Sequence, residues 1–227
     1  ATNSEWAFHR FSTLSKPPTT DIVSLPGHAS QRIIVDNEKV EKLLLSTPRV
    51  ETEFFEVDIG DGITMDAWMM KPPDFDPGKK YPLLMFVYGE PANQTVVQQW
   101  RAGRGDRHLW HTMLAQQGYI VASVDNRGTP APKGRAWRKS IYGQVGILAP
   151  VDQAKAVRKL LAERPYLDPE RVGSWGWSGG GQMTLNLMFR YPDIYRTGIA
   201  IAFVSDQRLY DTIYQERYMG LPDDNAE

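Results

Sequence analysis

From residue 81 onward the chain alternates between two kinds of segment. "YPLLMFVYG" is a continuous apolar run, the pattern of a strand buried on both faces. Residues 107–117 then fit a helix, with Leu109, Met113 and Leu114 on one side and Gly118 as its stop. "YIVASVDNRG" is a second buried strand that ends in a turn. "VDQAKAVRKLLAERP" reads as a helix whose apolar face carries Val151, Ala154, Val157 and Leu161, ended near Pro165. "RVGSWGW", "GGQMTLNLMFRYP" and "RTGIAIAFVS" continue as strand, helix and strand. Few folds admit this order. It predicts an α/β class with a mostly parallel sheet and helices on both of its faces.

The residues before this region read differently. "TEFFEVDIGDGITMDAWMMKP" is a hairpin, two strands around Gly60-Asp61-Gly62. Residues 1–46 hold three short β-like runs, "EWAFHRFSTLS", "TTDIVSLPG" and "HASQRIIVDN", separated by Pro and Gly turns. Three such strands cannot build a core of their own, so they read as one edge of a larger β domain. A domain boundary is therefore expected at 46/47.

Composition narrows the partners. The formal net charge of the 227 residues is −1, and Lys and Arg are scattered. No global field favours nucleic acid or an anionic membrane, so no nucleic-acid partner is expected. The local group Lys133, Arg135, Arg138 and Lys139 reads as a solvated face. The longest apolar runs are strand-sized, so no membrane segment is expected. Absence of cysteine excludes a disulfide framework, a thiolate metal site and a Cys nucleophile. The opening "ATNSEWAFHRF" has neither the basic start nor the apolar core of a signal peptide, and it reads as the middle of something longer.

Gly176-Trp177-Ser178-Gly179-Gly180 is a G-x-S-x-G pattern between a predicted strand and a predicted helix. A catalytic serine needs that context, because its hydroxyl must stand clear of a sharp backbone reversal. Gly176 and Gly180 would remove Cβ atoms where strand and helix collide. The helix N-terminus near Ser178 would favour developing negative charge. The rival is a glycine-rich turn that binds phosphate; the flanking strand and helix favour the nucleophile. Tyr88, at the end of the 81–89 strand, is placed to donate its hydroxyl to an oxyanion, or is a half-buried aromatic. The backbone N–H of Gly179 is the expected second donor.

At these residues the chain resembles the prolyl oligopeptidase family of serine peptidases, and within it the dipeptidyl-peptidase-IV-like branch. The stretches that carry the resemblance are "VYGEP", "VDNRGT", "GRAWRKSIYGQVG", "DQAKAVRKLL", "VGSWGWSGGG" and "YDTIYQERYMGLP". The resemblance implies an α/β-hydrolase domain over 47–227, incomplete at its C-terminus, preceded over 1–46 by the last blade segment of a β-propeller. It implies a peptide substrate, no cofactor and no metal, and it leaves room for a homodimeric parent. Carried over by position, Ser178 is the acylated nucleophile, with Tyr88 and Gly179 as oxyanion donors. Val204, Tyr210 and Tyr214 line the pocket for the residue before the scissile bond. Tyr210 and Tyr214 are spaced i, i+4, which on a helix puts them on one face; by spacing alone they are equally core aromatics. Asp125 and Arg127 read as a salt-bridged structural turn.

Three positions depart from the branch. Gly179 stands where a tyrosine is usual, Gln207 where a tryptophan is usual, and Glu90 where a small residue follows the oxyanion tyrosine. The expectation is a pocket that is more open and more polar. Loss of two aromatic contacts, each worth about 0.5–1.5 kcal/mol beyond area burial, would erode proline preference by roughly tens-fold.

The base and its orienting carboxylate follow the serine in hydrolases of this class. None of the 49 residues after Ser178 is histidine; His9, His28, His108 and His111 all precede it. Asp206, Asp211, Asp223 and Asp224 come too early for the triad acid. The expectation is a fragment, inactive alone, of a serine peptidase. Two alternatives accompany it: a carboxylesterase on the same scaffold, motivated by the opened pocket, and a non-catalytic interaction module.

Overall fold

The computed structural model describes residues 4–48, 50–100 and 107–225. By contact the chain divides into two units, one of residues 1–50 with 97–113, the other of 51–96 with 114–227.

In the first unit β1 (Trp6–Phe11), β2 (Thr19–Ser24) and β3 (Ser30–Val35) form an antiparallel sheet in sequence order. Val23 is the one buried apolar side chain of these strands, while Phe8 and Ile33 are exposed. A short amphipathic helix, α1 (Glu38–Leu45), follows. Helix α2 (Arg107–Gln116) crosses the division between the units at Met113/Leu114. His108 and His111 lie inside it, and His111 is buried.

The second unit is built on a six-stranded sheet of order β4-β5-β7-β6-β8-β9. Its strands are β4 (Thr52–Asp58), β5 (Thr64–Met70), β6 (Tyr81–Phe86), β7 (Ile120–Val124), β8 (Leu167–Trp177) and β9 (Thr197–Ile201). The β4–β5 hairpin and its junction with β7 are antiparallel; β7, β6, β8 and β9 run parallel. The parallel strands are the continuous apolar runs of the sequence. In β6, β7 and the second half of β8 they are inaccessible, as at Leu83, Met85, Ile120 and Val172, whereas the edge strand β9 is exposed to half-buried. Helices α3 (Gly134–Lys139), α4 (Leu148–Glu163), α5 (Gly179–Arg190) and α6 (Thr212–Met219) complete the unit. Helices α4 and α5 touch each other as well as the sheet, so they share one face.

The buried face of α4 follows only part of the stripe that its apolar residues suggest: Ala154 and Val157 are buried as expected. Val151 and Leu161 are only half-buried, whereas Asp152 and Gln153 are completely buried. Both polar side chains serve the turn after β7. Asp152 accepts from the Arg127 backbone N–H at 3.2 Å and from its guanidinium at 3.0 and 2.7 Å. Gln153 Nε2 donates to the Val124 carbonyl at 2.7 Å and to Asn126 Oδ1 at 3.0 Å. Buried polar groups need such partners, and here the partners decide which side of the helix faces inward. The turn is thus salt-bridged, but not between Asp125 and Arg127: each reaches a different element.

Among the described residues no helix is long and apolar enough to cross a membrane.

Candidate active site

The sheet order reverses at β6. The chain leaves β6 for β7 on one side, and leaves β8 for β9 on the other. Adjacent parallel strands whose connections part in this way open a crevice at their carboxyl ends, the usual place for a ligand in such sheets. Tyr88 lies two residues beyond β6, and Ser178 is the first residue beyond β8.

Ser178 has φ 59° and ψ −121°, a left-handed conformation that a non-glycine residue adopts at a cost of about 1–3 kcal/mol. The surroundings hold it there. Its N–H donates to the Ile201 carbonyl at the end of β9 at 2.9 Å, and its own carbonyl accepts from Gly181 and Gln182 in the first turn of α5. The hydroxyl has no hydrogen-bond partner among the described residues and is half-exposed. Gly179, as the first residue of α5, has no intrahelical acceptor for its N–H. The positive end of α5 therefore begins at the turn that carries Ser178.

The two outer glycines are needed for clearance. A Cβ on Gly176 would lie 2.3 Å from the Gly180 carbonyl oxygen, and one on Gly180 would lie 2.2 Å from the Val87 carbonyl oxygen. These are backbone collisions, which no rotamer relieves. The same close approach brings the Tyr88 Cα to 3.3 Å from the Cβ position of Gly180, so the serine turn and the Tyr88 segment meet. Trp177, by contrast, is half-exposed at the end of β8.

The segment that carries Tyr88 is tied down by the turn after β7. Asn126 Nδ2 donates to the Gly89 carbonyl at 3.1 Å. The buried Asp125 carboxylate accepts from the Thr95 N–H at 2.8 Å, the Thr95 hydroxyl at 2.9 Å and the Val96 N–H at 3.0 Å. Burial still pushes its pKa upward, the hydrogen bonds opposing. Thr95 and Ser123 share a 2.6 Å hydrogen bond, and Ser123 donates to the Phe86 carbonyl at 2.6 Å. Asn126, Thr95 and Gln153 carry no signal in the sequence that would assign them this work.

Of the residues expected to line the pocket, Tyr210 meets Tyr214 and Gln207 reaches α6 through Gln215, and two expectations are corrected. Tyr210 and Tyr214 do not share a helix: Asp211 caps α6 by accepting from the Tyr214 N–H at 2.8 Å, which leaves Tyr210 outside in extended backbone. Their rings nevertheless meet edge to face, with centroids 5.4 Å apart, and Tyr214 meets Tyr218 in the same way at 4.8 Å. Nor does the space at Gly179 stand open. A Cβ there would lie 2.3 Å from Glu90 Oε2, because the Glu90 side chain fills that volume. Glu90 is 4% exposed and accepts from the Tyr214 hydroxyl at 2.5 Å. Burial raises its pKa, the Tyr214 hydrogen bond opposing; burial and the Glu90 charge both raise that of Tyr214, with a smaller push from Tyr88.

Gln207 donates to Gln182 Oε1 at 2.7 Å and accepts from Gln215, an amide chain from α5 to α6. Val204 is half-buried after β9. Asp206 caps a 3-10 turn over Gln207–Leu209 and pairs with Arg208, which lowers its pKa to about 2. Beside the pocket is a cavity of about 290 Å3, lined by Pro91, Arg135, Arg138, Lys139, Arg217 and Tyr218 among others. The basic group on α3 therefore faces a concavity, except Lys133, which pairs with Asp66. No group of three or more His, Asp or Glu among the described residues is arranged to hold a metal.

The chain is 38% identical over 211 residues to "Probable dipeptidyl-aminopeptidase B" of Emericella nidulans, covering 92% of this chain and 22% of that protein. It is 37% identical over 196 residues to dipeptidyl peptidase 4 of Arthroderma otae, covering 86% of this chain and 25% of that protein. The crystal structure of Porphyromonas gingivalis dipeptidyl peptidase 4 superposes with a TM-score of 0.91 at 35% identity, over 100% of this chain and 31% of that one. The chain thus spans about a quarter of the length of the curated relatives it matches. Residues 108–227, more than half of the chain, match the sequence profile of the prolyl oligopeptidase family, and the chain belongs to that family.

Proposed function

We propose that the protein containing this chain is a serine peptidase that acts through an acyl-enzyme on Ser178. The observation that carries this reading is the left-handed backbone of Ser178 at the switch point of the sheet, with Gly179 opening α5 behind it. In the proposed reaction Ser178 Oγ attacks the scissile carbonyl carbon and gives its proton to a base. The base passes that proton to the leaving amine as the C–N bond breaks. Water then hydrolyses the ester and restores the serine. The Gly179 N–H and the Tyr88 hydroxyl hold the oxyanion in both steps. Val204, Gln207, Tyr210 and Tyr214 bound the pocket for the residue that supplies the carbonyl. The names of the relatives favour release of dipeptides from a peptide with a free N-terminus.

No histidine follows Ser178 in the 227 residues. The polypeptide 1–227 by itself is therefore expected to turn nothing over, since loss of the base removes several orders of magnitude in rate. Turnover is assigned to a protein that also supplies base and acid. The carboxylesterase alternative rested on an opened pocket; Glu90 fills that space, and nothing else in the geometry favours an ester.

The test uses the full-length protein. It should hydrolyse dipeptidyl 4-nitroanilides and be labelled at Ser178 by a fluorophosphonate, and Ser178→Ala should lose both. Turnover that survives Ser178→Ala would refute the assignment.

A further inference from the structure

Glu90 is a carboxylate in an unusual place. It follows Tyr88 by two residues, and its Oε2 lies 2.3 Å from where a Cβ of Gly179 would be. Its charged end therefore rests against the α-carbon of the residue that follows Ser178 and opens α5. The side chain is buried, yet its single hydrogen bond among the described residues is the one from the Tyr214 hydroxyl. An ionised carboxylate can accept about four. No Lys or Arg among the described residues pairs with it: Lys133 is taken by Asp66, and Arg217 lies over the Tyr218 ring.

Buried charges are ordinarily paired, because an unpaired one forfeits its hydration with nothing in return. Elsewhere this chain obeys that rule. Asp152, equally buried, takes three N–H groups from Arg127, and Asp125 takes three donors from Thr95 and Val96. Among the described residues Glu90 is the exception, and it stands against Gly179 and Tyr214, outside the apolar core cluster. Tyr214 contributes one neutral donor. The other polar side chain of that wall, Gln207, is already engaged by Gln182 and Gln215.

We infer that Glu90 makes the pocket beside Ser178 selective for a positively charged side chain, lysine or arginine, on the residue that supplies the scissile carbonyl. This rests on the peptidase reading above. The location decides which part of a substrate is meant. The Gly179 N–H holds the carbonyl oxygen in that reading, so the side chain nearest Glu90 belongs to the residue bearing that carbonyl. The edge-to-face rings of Tyr210 and Tyr214 suit the methylene stem of such a side chain, which can lie along apolar surface while its head reaches the carboxylate. The cation supplies what the fold withholds. Glu90 then becomes one half of a desolvated ion pair formed only with the right substrate, while an apolar side chain leaves it unpaired.

The experiment compares dipeptidyl 4-nitroanilides that differ only at that residue, with lysine, norleucine or proline, on the full-length protein. Norleucine matches the length of lysine without its charge. In the wild type, kcat/KM for lysine should exceed that for norleucine by at least about tenfold, in line with measured couplings of close charge pairs. Glu90→Gln should bring the ratio near one. Labelling of Ser178 by a fluorophosphonate reports whether that variant keeps a competent site. If it does not, Glu90→Ala, which removes the carboxylate with less bulk beside Gly179, should bring the ratio near one as well. A wild-type ratio near one overturns the inference, and so does a ratio that these variants leave unchanged. Absence of turnover on all three anilides, with Ser178 unlabelled, overturns instead the peptidase reading on which it rests.

Discussion

Gly180→Ala and Gly179→Ala, one residue apart, should behave very differently. At Gly180 the new Cβ would sit 2.2 Å from the Val87 carbonyl oxygen, 3.2 Å from its carbon and 3.3 Å from the Tyr88 Cα. A carbon meets a carbonyl oxygen comfortably at about 3.3 Å, so the overlap is about 1 Å. Neither side can yield cheaply. The Val87 N–H is bonded to the Trp175 carbonyl at 3.0 Å, its side chain is fully buried, and Gly180 is locked in the first turn of α5. Overpacking among side chains costs about 1–3 kcal/mol. Between two backbones the upper end applies, about 3 kcal/mol, against a gain of up to about 1 kcal/mol from replacing glycine in a helix. The net loss is at least about 2 kcal/mol. For a chain of this size that lowers Tm by roughly 4–8 °C. At Gly179 the Cβ meets the Glu90 side chain from its carboxylate back to Cγ and no backbone atom, so a change of rotamer can relieve it. The change there should stay within about 1 kcal/mol. Thermal unfolding followed by circular dichroism measures both, with Gly27→Ala as a control, since nothing lies within 4 Å of a Cβ there. Equal shifts for the two variants, or a Gly180→Ala shift below about 1 °C, would refute the reasoning.

Four further outcomes are expected. Gly179→Ala should be less costly in a Glu90→Gly background, by about 0.5–1 kcal/mol, because the two side chains compete for one volume; a thermal double-mutant cycle reads this directly. Asp152→Asn should destabilise by about 3 kcal/mol in urea unfolding, the lower end for a broken buried pair, since Arg127 keeps some contact with water. Thr95→Val should cost about 1–3 kcal/mol on the same measurement, because Asp125 stays buried with one donor fewer. Burial, with His108 and Arg107 nearby, pushes the pKa of His111 down to about 3. The unfolded state binds that proton near pH 6.5, so the stability held above pH 6.5 is lost as pH falls from there toward 3. Between pH 7 and 5 the loss is about 2 kcal/mol. Urea midpoints at both values should show it in the wild type and not in His111→Gln.

The parallel strands and the serine turn were legible because main-chain geometry writes itself into residue type. A strand covered on both faces needs a continuous apolar run, as in β6 and β7, and a collision between strand and helix needs glycine at 176 and 180. What stayed hidden was decided by side chains far apart in sequence. Asp152 and Gln153 look like the solvent side of an amphipathic helix. They face inward because Arg127, Asn126 and the Val124 carbonyl need them, and periodicity carries no record of a partner 25 residues away. The spacing of Tyr210 and Tyr214 suggests one helical face, but Asp211 ends the helix between them, and packing rather than winding brings the rings together. Gly179 and Glu90 are the instructive pair. Each is visible as a departure from the family pattern, and taken singly the glycine suggests an opened pocket. In the fold the two departures are one exchange, because the glutamate fills what the glycine vacates. Shape is thereby kept while a charge is introduced. Apart from the Tyr88 hydroxyl, the groups of this chain proposed for the reaction are backbone features or lie directly on it: the Ser178 turn, the Gly179 N–H and the α5 terminus. The pocket wall is made of side chains that can be exchanged around it. A family member can therefore alter what it accepts beside Ser178 without disturbing the geometry of attack, and the Glu90–Gly179 exchange is the kind of change that would do so.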